Sequence, residues 1–85
     1  MVVESLTENQ IKRIKKNTPI LVGERIRFLR KKLGLTQTEL SELVLKDRQY
    51  LYKIEKGLVT PNISTITILA KAMEISLKDF FDVEN

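Results

Sequence analysis

TQTELSELVLKDRQYLYKIEKG, residues 36–57, holds two helix starts and one helix end. Thr36 and Glu39 have the spacing of a capping box, in which each side chain satisfies a backbone N–H of the first turn. Leu40, Leu43 and Val44 follow as the apolar positions of a helix of about nine residues. Lys46 breaks that pattern, and Asp47 is a suitable N-cap for a second helix, which Gly57 ends. At 100° per residue, Arg48, Gln49, Tyr52, Lys53 and Lys56 fall on one side of this helix, with Tyr50, Leu51 and Ile54 on the other. A tyrosine among charges is poorly placed on an inert surface, but it suits one that meets a partner, where the ring gives contact area and the hydroxyl can bond phosphate. Arg48 has the geometry to pair with guanine, Gln49 with adenine, and Lys53 with guanine or phosphate. The residues alone leave two readings: an ordinary solvated face with Tyr52 folded over a neighbouring loop, or a face built for a major groove about 12 Å wide. Two short capped helices joined by a tight turn, the second with a polar outer face, favour the latter, because that order is a helix-turn-helix.

The flanking sequence reads as helix in both directions. Val22, Ile26, Leu29 and Leu33 form one helical stripe that Gly34 ends. Further upstream, Thr7 and Gln10 make another capping box, predicting a short basic helix over 8–17. Thr18-Pro19 is predicted to stop it and start the next, because proline is tolerated in a first turn. Downstream, LVTPN (58–62) is a loop by composition. Asn62 or Ser64 caps a fourth helix bearing Ile66, Leu69, Ala70 and Met73, and Ser76 with Asp79 starts a short last one bearing Leu77, Phe80 and Phe81. No repeat, low-complexity segment or strand-like alternation competes. The expected fold is all-α: a compact five-helix helix-turn-helix domain over 23–81, an additional N-terminal helical extension over 1–22, and a tail over 82–85.

Composition narrows the function. The 85 residues make one small domain. With no cysteine and no histidine, disulfides, thiolate or imidazole metal sites and the common nucleophile–base pairs are all absent. Nothing gathers the carboxylates and lysines, and there is no glycine-rich phosphate loop, so neither an enzyme nor a cofactor or metal is expected. The opening MVVESLTENQ is polar, without a run suited to a signal peptide or membrane span, which makes a cytosolic location the expectation and a membrane partner an unsupported one. The net charge is +4, unevenly spread: residues 1–56 carry 13 Lys/Arg against 7 Asp/Glu, and residues 57–85 carry 2 against 4. A basic face of this kind suits nucleic acid, whose phosphates release counterions when neutralised, although many soluble domains are equally lopsided.

Residues 36–57 resemble the helix-turn-helix of the phage repressor and Cro family, also called the Xre family of bacterial regulators. GERIRFLRKKLGLTQ looks like that family's first helix and connection, and TPNISTITILAKAMEISLKDFF like its fourth and fifth helices, so the resemblance covers residues 23–81. Asp-Arg-x-Tyr at 47–50 also resembles the recognition helix of restriction–modification controller proteins. The resemblance implies that Gln37 bonds a phosphate beside the groove and that Arg48, Gln49 and Lys53 face bases with Tyr52 between them. It implies that Leu40, Leu51 and Ile54 fix the angle between the two helices, and that Glu55 pairs with a first-helix arginine, Arg30. In one respect the sequence departs from the pattern: Leu45 and Lys46 stand where the family has glycine and an apolar residue. Leu45 should resist a left-handed backbone, so the second helix is expected to run on slightly with Leu45 filling the apolar site.

The extension has two readings. Lys12, Arg13, Lys15 and Lys16 form a basic arm on flanking DNA backbone, or Ile11, Ile14, Ile20 and Leu21 pack against the body or a second subunit. Arg25, Arg27, Arg30, Lys31 and Lys32 are either a solvated face or contribute one or two backbone contacts. The function expected is sequence-specific binding of double-stranded DNA by a transcriptional regulator. It would act as a homodimer on a two-fold operator, with the last helix (Phe80, Phe81), alone or with the extension, at the interface. The alternative is a protein-interaction module of the same fold, an antitoxin or bridging factor whose partner is a toxin or RNA polymerase.

Overall fold

A computed structural model describes residues 3–82, so Met1, Val2 and the last three tail positions, 83–85, lie outside the described residues. The order is α1 (Glu8–Lys32), α2 (Gln37–Leu43), α3 (Arg48–Glu55), α4 (Ile63–Ala72) and α5 (Leu77–Phe80), with no strand among the described residues. Each start is the one its cap dictates: Thr7, Thr36, Asp47, Asn62 and Ser76 all sit in extended backbone and accept a hydrogen bond from the N–H three residues on. Both expected capping boxes are complete.

The core is one cluster. Ile26 and Leu29 of α1 meet Leu40 of α2, Leu51 and Ile54 of α3, Ile66, Leu69 and Ala70 of α4, Met73, and Phe80 of α5. Leu40, Leu51 and Ile54 are the contacts expected between the two central helices, and all three are essentially buried. Two positions of the expected stripes turn outward instead. Leu33 and Leu43 are more than half exposed, because the helices end there and the chain bends away before another element can cover them.

Three expectations are corrected. The chain does not break at Thr18-Pro19: Pro19 lies inside a single 25-residue helix. Proline there removes one backbone bond and costs about 3 kcal/mol. Tertiary contact offsets it, since Pro19 is buried and the next turn rests on the end of α3. A Cβ on Gly23 would lie 2.3 Å from the Ile54 carbonyl oxygen and 2.8 Å from that of Glu55, so only glycine allows α1 this close. Gly57, at φ +73°, lets the chain leave α3 directly beneath the Ile20 backbone.

Second, α2 does not run on. Leu45 takes the left-handed conformation, φ 58°, and is 91% exposed instead of filling an apolar site. Its strain, about 1–2 kcal/mol, is held by a Schellman closure in which the Leu45 N–H donates to the Glu42 carbonyl (3.2 Å) and the Lys46 N–H to that of Ser41 (2.9 Å). That closure releases Asp47 to cap α3. Third, of the four apolar residues of the extension only Ile20 meets the body, over Gly57; Ile11 and Ile14 are exposed on the half of α1 that projects from it, Leu21 is exposed on the side of α1 turned away from it, and the molecule measures 43 × 25 × 22 Å.

Candidate nucleic-acid interface

The second helix of the motif is fixed from behind and free in front. Leu51, Ile54 and Glu55 are buried, whereas Arg48, Gln49, Tyr52, Lys53 and Lys56 are all exposed. Asp47 holds the start of α3 by accepting from the Tyr50 N–H at 2.8 Å. Tyr52, 39% exposed, keeps its ring on this outer face, with the Lys56 ammonium 5.9 Å from its centroid.

Behind α3 sits a polar junction of three helices. Glu55 accepts from Arg30 Nε at 2.6 Å and Nη2 at 2.9 Å, and from Gln37 Nε2 at 3.1 Å. Arg30 Nη1 also donates to the Leu35 carbonyl at 2.8 Å. The expected Arg30–Glu55 pair is therefore present, bidentate and buried, and among the described residues no buried side-chain polar atom lacks a partner. The bond to Glu55 raises Arg30 above its ordinary pKa, so the guanidinium stays charged. One carboxylate thus joins α1, the start of α2 and the end of α3. It orients Gln37 as well: Glu55 can only accept, so the amide nitrogen faces it and one further N–H remains for an outside acceptor.

In front of this junction lies a groove of about 430 Å³ between α1 and the motif. It brings together Gln37, Arg48, Tyr52 and Lys56 of the residues read from sequence, with Ile20, Glu24 and Arg27 of α1; Gln49 and Lys53 do not line it. Arg48, Lys56 and Arg27 face a single Glu24 there, because the Glu55 charge is matched by Arg30. Arg27 was among the α1 cations read as candidate backbone contacts, whereas Ile20 and Glu24 were not legible as part of the site. Their spacing of four and three puts all three on one helical side, but which side of α1 meets the motif is set by the contact of Gly23 and Ile20 with the end of α3. Arg25 has a different role: its Nε donates to the Phe80 carbonyl at 2.7 Å and its Nη2 to that of Asp79 at 2.8 Å, closing the end of α5.

Known proteins share this fold. Residues 26–80 match the helix-turn-helix family. The chain is 39% identical over 56 residues to the immunity repressor protein of Bacillus phage phi105, a match spanning 66% of this chain and 39% of that protein. This chain thus corresponds to about two fifths of the length of that relative. Among solved structures it is similar to the restriction-modification controller protein C.AhdI from Aeromonas hydrophila, with a TM-score of 0.74 and 31% identity over 80% of this chain and 97% of that one. The clp gene regulator ClgR from C. glutamicum shares the fold, with a TM-score of 0.70 and 24% identity over 73% of this chain and 80% of that one. The chain belongs to the helix-turn-helix family, among the DNA-binding transcriptional regulators of the phage repressor and Cro (Xre) type.

Proposed function

We propose that this protein is a cytoplasmic, sequence-specific regulator that binds double-stranded DNA through α3, with residues 23–81 as the DNA-binding unit. The observation that carries the reading is the split of α3 into a buried side and an outer side where Arg48, Gln49, Tyr52, Lys53 and Lys56 all stand exposed. Arg48, Gln49 and Lys53 read base edges from the first turns of the helix, Gln37 donates its remaining N–H to a phosphate, and Tyr52 and Lys56 line the groove beside them. A single recognition helix reads few base pairs. Two copies on half-sites about 34 Å apart add their discrimination, so the protein acts as a homodimer on a two-fold operator. Occupancy of that operator is the regulatory event.

Fluorescence anisotropy on a labelled random-sequence duplex across a salt series tests the electrostatic part. Each neutralised phosphate contributes a slope of about −0.9 in log K against log salt. Arg48→Ala and Lys53→Ala are expected to alter preference among sequences as well as affinity. Equal weakening on every sequence would reduce them to phosphate contacts. A folded protein with no salt-dependent DNA binding would move the Tyr52 face to a protein partner.

A further inference from the structure

α1 has two apolar sides, and only one is covered. Val22, Ile26 and Leu29 face the core. The other side runs through Ile14, Leu21 and Phe28, which are 52%, 63% and 56% exposed. Their spacing of seven makes successive members drift by only about 20°, so they form one straight stripe along the helix. At its end, Arg25 joins the stripe to α5. The Arg25 guanidinium carbon stands 5.6 Å from the Phe28 ring centre while the same side chain holds the α5 carbonyls. Phe81, next in chain to Phe80 and stacked edge-on against it at 5.0 Å, is 47% exposed. The outer side of α1 and the end of α5 are therefore one surface.

We propose that a second copy of this chain covers that surface, with the two α1 helices antiparallel about a two-fold axis at Leu21. This rests on the homodimer reading above and assigns its interface. Three observations select the occupant and its direction. Ile20 and Arg27, which mark the groove side of α1, lie about 100° round the helix from Leu21, and Gly23, where α3 touches α1, lies about 160° round. A two-fold axis pointing out along the groove side thus sets Leu21 against Leu21 and Ile14 against Phe28 of the other copy, and turns both α3 helices towards the same face. With interaxial steps of roughly 8–10 Å, the line α3–α1–α1–α3 spans roughly 24–30 Å, the scale of the ~34 Å between half-sites. The antiparallel direction also keeps Lys12, Arg13, Lys15 and Lys16 of the two copies apart, where a parallel pair would stack them. A helix of 25 residues is about 37 Å long and ~10–12 Å across, offering on the order of 400 Å² per copy. That is the low end for a specific interface, so the dimer is weak when free and tightened by DNA carrying two half-sites.

Sedimentation equilibrium of wild type, Leu21→Asp and Ile14→Asp tests this, with far-UV circular dichroism to show that each variant keeps its helices. Both side chains are exposed, and Ile14 lies on the projecting half of α1, away from the core. The expected result is a wild-type dimer and variants weakened at least about tenfold. Because the chain has no cysteine, Leu21→Cys is also expected to form a disulfide-linked dimer on mild oxidation, and Arg27→Cys, on the groove side, is not. A wild-type dimer unchanged by either aspartate and not cross-linked at position 21 overturns this interface while leaving the homodimer intact. A wild type that stays monomeric and fills a two-site duplex one copy at a time, without cooperativity, overturns the homodimer itself.

Discussion

Replacing Glu55 by glutamine keeps the shape of the three-helix junction and removes its negative charge. Arg30 would then lie buried with its guanidinium facing a neutral amide. Breaking a buried pair from one side costs about 3–5 kcal/mol, because the remaining ion is left uncompensated. The low end applies here, ~3 kcal/mol, since Nη1 keeps its bond to the Leu35 carbonyl and the amide oxygen can accept one more. A domain of this size has roughly 4–13 kcal/mol in total. At a urea slope of about 1–1.5 kcal/mol/M, the midpoint should fall by roughly 2–3 M. Urea titrations followed by circular dichroism at equilibrium measure it. The double variant Arg30→Met/Glu55→Leu leaves no charge behind and should be more stable than Glu55→Gln. A loss below about 1 kcal/mol for Glu55→Gln, or a double variant less stable than Glu55→Gln, would refute the view that desolvated charge governs this junction.

Three further outcomes follow from the backbone and the caps. Leu45→Gly relieves left-handed strain at an exposed turn; after the entropy glycine adds to the unfolded chain, a gain of about 0.5–1 kcal/mol is expected, seen as a rise of a few degrees in Tm, and an unchanged or lower Tm would contradict it. Gly23→Ala should gain about 1 kcal/mol in helix propensity yet lose more by pushing on the Ile54 and Glu55 carbonyls, for a net loss on the order of 1–2 kcal/mol in denaturant titration; a stabilised variant would show that α1 does not approach α3 this closely. Glu39 has its pKa lowered by the Thr36 backbone bond and then the Thr36 hydroxyl bond. A depressed folded-state pKa gives stability that is present above the ordinary glutamate value and is lost as pH falls through the lower folded one. The stability difference between wild type and Glu39→Gln should therefore shrink from pH 6 to pH 3, and a constant difference would sink this assignment.

What sequence revealed and what it hid divides along a physical line. Caps are local, so Thr7, Thr36, Asp47 and Ser76 could be read from their own neighbourhoods, with Asn62 as one of two candidates, and the starts of the five observed helices followed. The outer side of α3 was legible for the same reason, because an eight-residue helix needs only its own periodicity to sort Arg48 and Tyr52 from Leu51 and Ile54. Pro19 and Leu45 misled because each breaks a local preference that distant contacts or a turn closure override. Continuity through Pro19 depends on Gly23 and Ile20 meeting the end of α3, more than 30 residues away in the chain. The groove role of Ile20 and Glu24 was hidden because which side of α1 faces the motif is set by that same distant contact. The break expected at Pro19 hid the stripe of Ile14, Leu21 and Phe28, which exists only on an unbroken helix.

Selection of bound duplexes from a random-sequence pool at near-physiological salt, with wild type and Arg48→Ala in parallel, tests the central claim most directly. The account predicts a two-fold symmetric motif for wild type, with half-sites about one helical turn apart, and an altered or relaxed position in each half for Arg48→Ala. Absence of any enriched motif from folded wild-type protein, or an identical motif from the variant, would contradict recognition through α3.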